Sequence, residues 1–274
     1  MALCVGEALV GEIRRAASGE NAAILRMKSR VDKLLFDRGL APSRERAQAL
    51  VIAGRVLVND QKIEKPGISV PDDVEIRLLG EDLRYVSRGG LKLERALQYW
   101  SIDVSGKTCL DIGTSTGGFT DCMLQHGAAR VIAVDTGYGQ INAQLRQDRR
   151  VELLERTNAR YLTPEQLSVR IEFFAVDVSF ISATLVLPAV IAAIRAKAGS
   201  GNFESVVLVK PQFEAGREAI GKGGIVRDEQ AQIGAVTRVR ETIAHLGGSD
   251  IASIDSPILG AEGNREFLLH SRFI

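Results

Sequence analysis

The sequence predicts an α/β protein built on a doubly wound, mostly parallel seven-stranded sheet, preceded by a small N-terminal α+β module. Three observations carry that reading. From residue 108 onward, seven short apolar runs alternate with stretches of helical period. The first run, Thr108-Cys-Leu-Asp-Ile112, passes through an acid into a glycine-rich turn and then a helix, the layout by which a parallel strand presents a ligand at its carboxyl end. Ahead of this half lies a basic segment of different texture, with two short helical patterns and a few short strand-like runs.

The 274 residues, 45% of them hydrophobic, suffice for one large domain or for a small one joined to a medium one. With 35 basic and 34 acidic residues the net charge is +1, so a nucleic-acid surface must be a local patch. Cys4, Cys109 and Cys122 are scattered without paired metal spacing, which fits a reducing, cytoplasmic setting and gives Cys109 and Cys122 packing roles in a strand and a helix. The longest clean apolar stretch, 183–194, holds Thr184 and Pro188 and falls short of the roughly 20 residues that a bilayer demands. Residues 1–27 read as an N-terminal extension outside the fold. Glu7 and Glu12 interrupt its apolar start and Arg14-Arg15 comes late, the reverse of a secretory signal, and Met27 is a second candidate start.

In the front module, Val31, Leu34 and Leu35 repeat at helical spacing and Gly39 closes the helix. Ser43 caps a second helix whose buried stripe is Ala47, Leu50 and Val51, and Gly54 supplies its left-handed end. Arg55-Val-Leu-Val58, the turn Asn59-Asp60 and Val74-Glu-Ile-Arg-Leu78 read as short strands around a turn. Six basic residues stand against three acids between Lys28 and Leu50. Lys28, Arg30, Lys33, Arg44 and Arg46 are the candidates for RNA contact, the last two beside a helix start whose free N–H groups favour phosphate. Charge alone fits an ordinary solvated face as well.

Residues 81–87 form a connector to Ser87-Arg-Gly-Gly90 and to a helix whose buried stripe is Leu93, Leu97 and Trp100. Lys92 lies off that stripe in the first turn, where a cation is mildly unfavourable. In the glycine-rich turn, Gly113, Ser115, Gly117 and Gly118 place a serine where a dinucleotide loop needs its second glycine to approach a pyrophosphate. A phosphate-free nucleoside such as S-adenosyl-L-methionine lifts that demand, and the reading shifts from hydride towards methyl transfer. The next strand, Val131-Ile-Ala-Val134, ends in Asp135, 24 residues after Asp111 and suited to the hydroxyls of a ribose. Glu152-Leu-Leu154, Phe173-Phe-Ala-Val176, Val206-Val-Leu-Val209, Ile251-Ala-Ser-Ile254 and Phe267-Leu-Leu269 complete the strands. Asp177 and Lys210 follow two of them directly, at strand ends where ligands collect, although a surface ion pair gives the same pattern.

Two motifs are decoys. Gly216-Arg-Glu-Ala-Ile-Gly-Lys-Gly223 nearly spells a phosphate-binding loop, but Gly223 replaces the magnesium-holding serine or threonine, and a glycine-rich loop beside the substrate cleft is the better reading. His126, His245 and His270 are dispersed and form no metal motif.

Arg30-Val-Asp-Lys-Leu-Leu, Gly39-Leu-Ala-Pro-Ser-Arg-Glu-Arg-Ala and Leu50-Val-Ile-Ala-Gly-Arg-Val-Leu-Val-Asn resemble the RNA-binding module first seen in ribosomal protein S-four. Ser87-Arg-Gly-Gly-Leu-Lys92, the loop from Asp111 to Asp121, Val134-Asp-Thr-Gly-Tyr-Gly-Gln140, Glu155-Arg-Thr-Asn-Ala-Arg160, Asp177-Val-Ser-Phe-Ile-Ser182, Val209-Lys-Pro-Gln-Phe-Glu214 and residues 256–268 closely resemble the TlyA family. The resemblance spans residues 28–274. It implies an S-four-type domain over 28–80, a linker over 81–87 and, over 88–274, an FtsJ-like domain with the Rossmann-like fold of class I S-adenosylmethionine-dependent methyltransferases. It also implies transfer of a methyl group to the 2′-hydroxyl of a cytidine ribose in large-subunit and, in some members, small-subunit ribosomal RNA. The partners it implies are ribosomal RNA and ribosomal subunits, without DNA, membrane or metal.

The family's lysine–aspartate–lysine–glutamate tetrad maps to Lys92, Asp177, Lys210 and Glu266. A ribose hydroxyl is a poor nucleophile until its proton leaves, and a lysine accepts one only after burial or a nearby cation has favoured its neutral form. Lys210 is the candidate base, with Lys92 the cation and the two acids orienting; the alternative is that the tetrad positions the hydroxyl while solvent takes the proton. For the cofactor, Asp111 is expected at the methionine amino group, Gly113, Ser115, Thr116, Gly117 and Gly118 along its backbone-contact side, Asp135 at the ribose and Asn158 beside the adenine. Phe119 is either a pocket wall or core. A non-catalytic ribosome-binding or assembly protein is the runner-up, opposed by the complete tetrad, and a pore-forming haemolysin, a label attached to this family, ranks lowest for want of a spanning segment.

Overall fold

The computed structural model describes residues 28–41, 43–79, 84–198, 201–260 and 263–274; the extension expected over 1–27 and Cys4 lie outside them. The chain divides into two compact units, Met1–Asp82 and Leu83–Ile274.

In the first unit the described elements are β1 (Lys28–Arg30), α1 (Val31–Asp37), α2 (Arg44–Ile52), β2 (Val56–Val58), β3 (Gln61–Ile63), β4 (Ser69–Pro71) and β5 (Ile76–Leu78). Ser43 Oγ accepts a hydrogen bond from the Arg46 amide at 3.2 Å, so the expected cap is in place. Asn59 and Asp60, both at positive φ, make the tight turn that pairs β2 with β3, and β5 joins on the other side of β2. Val31, Leu35, Ala47, Val51 and Val56 are the fully buried core. The antiparallel pair β1 and β4 was not expected, because two three-residue, largely polar segments carry no alternation to read.

The second unit contains α3 (Gly89–Tyr99), β6 (Thr108–Ile112), α4 (Gly118–Gln125), β7 (Arg130–Val134), α5 (Ala143–Gln147), β8 (Val151–Leu154) and β9 (Phe173–Val176). It continues with α6 (Ala183–Ala198), β10 (Phe203–Val209), α7 (Pro211–Glu214), α8 (Glu229–His245), β11 (Gly248–Asp255) and β12 (Phe267–Phe273). Its seven strands lie in the order β11-β12-β10-β9-β6-β7-β8. The strands from β10 to β8 are parallel, while β12 is antiparallel to β10 and β11 to β12. Alternate strand residues feed opposite faces: Leu110, Ile112, Phe174 and Val176 pack under α6 and α8, and Cys109, Phe173, Ala175 and Val206 pack under α3 and α4. Both faces are therefore apolar, which explains the near-continuous hydrophobic runs of the sequence.

From β6 the chain moves outward through β7 and β8, then returns to β9 on the other side of β6. That reversal opens a crevice at the carboxyl ends of β6 and β9. There the Asp177 amide donates to the Ile112 carbonyl at 2.8 Å, and a Cβ on Gly113, whose φ is +86°, would collide with the Asp177 carbonyl oxygen. Part of the expected connector is integral to this unit: Tyr85 is buried and the Val86 amide donates to Asp121 Oδ2 at 2.8 Å. Trp100 ends α3 half-buried, stacked on His270 with ring centroids 5.3 Å apart.

Candidate active site

The strand topology brings the four tetrad residues to one cleft of about 370 Å³. Asp177 and Lys210 directly follow the adjacent parallel strands β9 and β10, and Lys210 Nζ lies 2.6 Å from Asp177 Oδ1. The same Nζ donates to Ser179 Oγ at 2.9 Å. Because β12 runs antiparallel to β10, with Phe267 opposite Val209, Glu266 at its start reaches the same edge of the sheet. Glu266 Oε2 accepts from Lys92 Nζ at 2.5 Å. Lys92 was expected off the buried stripe of α3, yet it is only 9% exposed: the stripe counts side chains facing the core, and Lys92 is covered instead beside Glu266.

Glycines bring α3 close to the loop. A Cβ on Gly118 would stand 2.9 Å from the Gly90 amide nitrogen and 3.2 Å from Gly89 Cα, so the N-termini of α3 and α4 meet with no room for side chains. This accounts for the Gly-Gly steps at both places, and it brings Lys92, Gly113 to Thr116 and Gly118 into one lining.

A second cleft of about 560 Å³ adjoins the first, and the two share Gly113, Ser115, Asp177, Ser179 and Phe180 in their walls. Asp135 and Asn158 line this second cleft. The Asp135 carboxylate accepts from the Ser115 amide at 2.8 Å and the Gly137 amide at 2.7 Å, which leaves lone pairs on both oxygens for further donors. Ser115 itself adopts φ +51°. Asn158 Oδ1 caps the turn Ala159–Tyr161 through the Arg160 amide at 3.0 Å, while its amide nitrogen remains a donor.

The other expected cofactor residues take different positions. Ser115 and Thr116 are exposed on the loop, and Gly117 at φ +97° precedes α4 against Leu145 and Ile141. Phe119 lines the first cleft with one edge but is 3% exposed in the core between α3 and α4, so packing is its main role. Asp111 lines neither cleft. It is fully buried one layer beneath the loop, with Oδ2 accepting from Thr120 Oγ1 at 2.6 Å and Oδ1 without a hydrogen-bond partner. Burial, with the neighbouring charges of Asp177 and Asp135 in support, pushes its carboxyl up to about 7. Sequence reading missed Ser179, the exposed Phe180 at φ +64°, Gln212 and Phe213, all of which line the first cleft. Each follows a strand-end residue by two or three positions, which is the signal that was available.

The RNA candidates belong to the first unit. Lys28 is exposed on β1. Arg30 grips the buried Asp32 carboxylate through Nε at 3.0 Å and Nη2 at 2.8 Å, and Arg44 Nη2 approaches the same group at 3.6 Å. The Arg30 bonds first, then those from the Gln48 side chain and the Lys33 amide, hold the Asp32 carboxyl far below the usual carboxylate range. Lys33 pairs with Asp37 at 3.3 Å, and Arg46 is half-buried in the first turn of α2. Among the described residues no three or more His, Cys, Asp and Glu gather as a metal site, and no helix is long and apolar enough to cross a membrane. Gly216–Gly223 leads into turns rather than a helix, which removes the resemblance to a phosphate-binding loop.

The FtsJ-like methyltransferase family matches residues 85–273. The chain belongs to that family. An S4 domain matches residues 29–76 of the N-terminal unit. YqxC of Bacillus subtilis, which bears an rRNA methyltransferase name, is 48% identical over 244 residues, covering 89% of this chain and 85% of its own. The 16S/23S rRNA (cytidine-2'-O)-methyltransferase TlyA of Mycobacterium tuberculosis is 43% identical over 246 residues, covering 89% and 90%. A solved Streptococcus thermophilus structure that bears a hemolysin name superposes with a TM-score of 0.69 at 45% identity, covering 90% and 89%. The family and its fold imply use of S-adenosylmethionine, and the S4 domain implies an RNA partner.

Proposed function

We propose that this chain is a ribosomal RNA methyltransferase that transfers a methyl group from S-adenosyl-L-methionine to the 2′-hydroxyl of a cytidine ribose in the RNA of the large subunit or of both subunits, in the cytoplasm. The observation that carries the proposal is the convergence of Lys92, Asp177, Lys210 and Glu266 on one cleft that shares a wall with a nucleoside-sized neighbour.

The residues fit a phosphate-free cofactor. In a dinucleotide loop the backbone at the second glycine faces a pyrophosphate; here the Ser115 amide is taken by the Asp135 carboxylate, whose charge also repels phosphate. Asp135 and Asn158 would hold the adenosine half, and Gly113 would let the chain approach the junction of the clefts. Asp111 supports the loop from below through Thr120, and its free Oδ1 offers a buried acceptor to a cationic amine. When bound, S-adenosylmethionine supplies a methyl group already activated for in-line transfer.

Lys210 takes the proton of the ribose hydroxyl. Asp177 and Ser179 aim its Nζ, and Lys92, anchored by Glu266, supplies the cation at the cleft. A methyl acceptor limited to the 2′-hydroxyl excludes DNA as a substrate, and an S4-type module captures structured RNA through phosphates and shape. The test is transfer of labelled methyl to purified ribosomal subunits, followed by mapping of the alkali-resistant ribose. Labelling of a cytidine supports the proposal; no transfer to either subunit, with cofactor binding demonstrated, overturns it.

A further inference from the structure

Glu214 is a buried acid, 5% exposed, that lines neither cleft. Each of its oxygens nevertheless has a partner: Oε2 accepts from Ser182 Oγ at 2.5 Å and Oε1 from the Ala183 amide at 2.7 Å. Burial pushes its carboxyl up, and those two bonds work against the push.

The bonds belong to a ladder between two segments. Lys210 precedes and Glu214 ends the single turn of α7, while Asp177 and Ala183 bound the loop from β9 to α6. The first rung is Lys210 with Asp177 and Ser179. The second is Phe213 against Phe180, with ring centroids 5.3 Å apart. The third is Glu214 with Ser182 and Ala183. The loop so held includes Phe180 at φ +64°, a conformation that a bulky aromatic residue keeps only when its surroundings impose it.

Ser182 Oγ caps α6 locally by accepting from the Thr184 amide at 3.1 Å. The Glu214 carboxylate, 32 residues away, adds to that cap and so ties together the two segments that supply Asp177 and Lys210.

We propose that Glu214 is a positioning residue, whose carboxylate clamps the Asp177–Ala183 loop to the segment that starts at Lys210 and thereby fixes the geometry of the Asp177–Lys210 pair. The proposal rests on the methyl-transfer reading for its consequence in catalysis, and on geometry alone for the clamp itself.

Glu214→Ala, Glu214→Gln and Ser182→Ala in the full chain test it. Glutamine can accept from the Ala183 amide and donate to the Ser182 hydroxyl, so it keeps the rung without the charge. The alanine variant is expected to lose about ten- to hundredfold in kcat with cofactor affinity within about twofold of the parent, and the glutamine variant to recover to within about threefold. Ser182→Ala, which removes the bond to Glu214 Oε2 together with the contacts to Thr184 and leaves the bond from the Ala183 amide, should lose about three- to tenfold and keeps the test open where Glu214→Ala does not fold. Amide hydrogen exchange over residues 177–184, measured without RNA or cofactor, should rise in the variant that loses the clamp and not in Glu214→Gln. Unchanged exchange and unchanged kcat in Ser182→Ala and Glu214→Ala overturn the proposal, as does a Glu214→Gln variant as impaired as the alanine one. Absence of methyl transfer by the parent protein would overturn the proposed function instead, with the exchange measurement still deciding on the clamp.

Discussion

Lys92 Nζ and Glu266 Oε2 lie 2.5 Å apart across 174 residues of sequence, with 11% and 3% of their side chains exposed. A buried ion pair of this kind adds little net stability against an apolar pair of the same size, but breaking it strands a charge. Glu266→Ala is therefore expected to destabilise the cofactor-free protein by about 3–5 kcal/mol. Lys92→Met combined with Glu266→Leu should return stability close to the parent while methyl transfer stays lost. Urea denaturation of the three proteins checks this; an alanine variant as stable as the parent would show that the pair is solvated in practice.

Lys210→Ala is expected to lower kcat for ribose methylation by about a hundred- to ten-thousandfold, the usual range for a proton acceptor. Cofactor affinity should stay within a few-fold, because Lys210 lines the tetrad cleft and not the one that holds Asp135 and Asn158. Calorimetric binding of S-adenosylmethionine beside a methylation assay separates the two effects. Equal losses in binding and turnover would assign Lys210 to holding the cofactor.

The parts of this site that were legible in the sequence are those that a parallel sheet fixes by itself. Asp177 and Lys210 stand where their strands end, and both faces of the sheet are covered, so the apolar runs of residues 173–176 and 206–209 announce the strands and the polar residues behind them. Lys92 and Asp111 show where pattern runs out. Helical periodicity separates core-facing from other positions, yet it cannot say that Glu266, on the last strand, will cover Lys92. Asp111 has the spacing of a ligand contact, but strand alternation and the Thr120 hydroxyl place it beneath the loop. Glu214, Ser182 and Phe180 owe their arrangement to two loops packed together, and no local signal encodes that packing.

Asp111 gives a pH dependence. Its folded-state carboxyl, at about 7 against an ordinary 3.8, is raised, so folding favours the protonated form. The stability this group contributes is complete below about pH 4 and is lost as the pH climbs to about 7. Asp111→Asn should remove that slope, leaving the variant progressively more stable relative to the parent as the pH rises through this window. Urea midpoints of both cofactor-free proteins at several pH values test it; parallel curves would mean that the buried carboxyl does not titrate there. Asparagine also removes the negative charge that would face a cationic amine, so the same variant should bind S-adenosylmethionine more weakly.

In the N-terminal unit, stability and RNA contact should separate between Lys28 and Arg30. Arg30 holds both oxygens of Asp32, which is itself 0% exposed and shared with Gln48 of α2. Arg30→Ala is expected to lower the urea midpoint only slightly, because half of the arginine side chain faces solvent. The lowered carboxyl of Asp32 means that this contribution is present above the ordinary carboxylate range and lost in acid. Lys28 is exposed on β1, so Lys28→Ala should leave the urea midpoint in place. If it meets a phosphate, its removal lowers the dependence of log affinity on log salt by about one unit. Titration of ribosomal RNA over a series of salt concentrations measures that slope. An unchanged slope for Lys28→Ala would move the phosphate contact away from β1 and towards the first turn of α2, where Arg44 and Arg46 stand at the positive end of the helix.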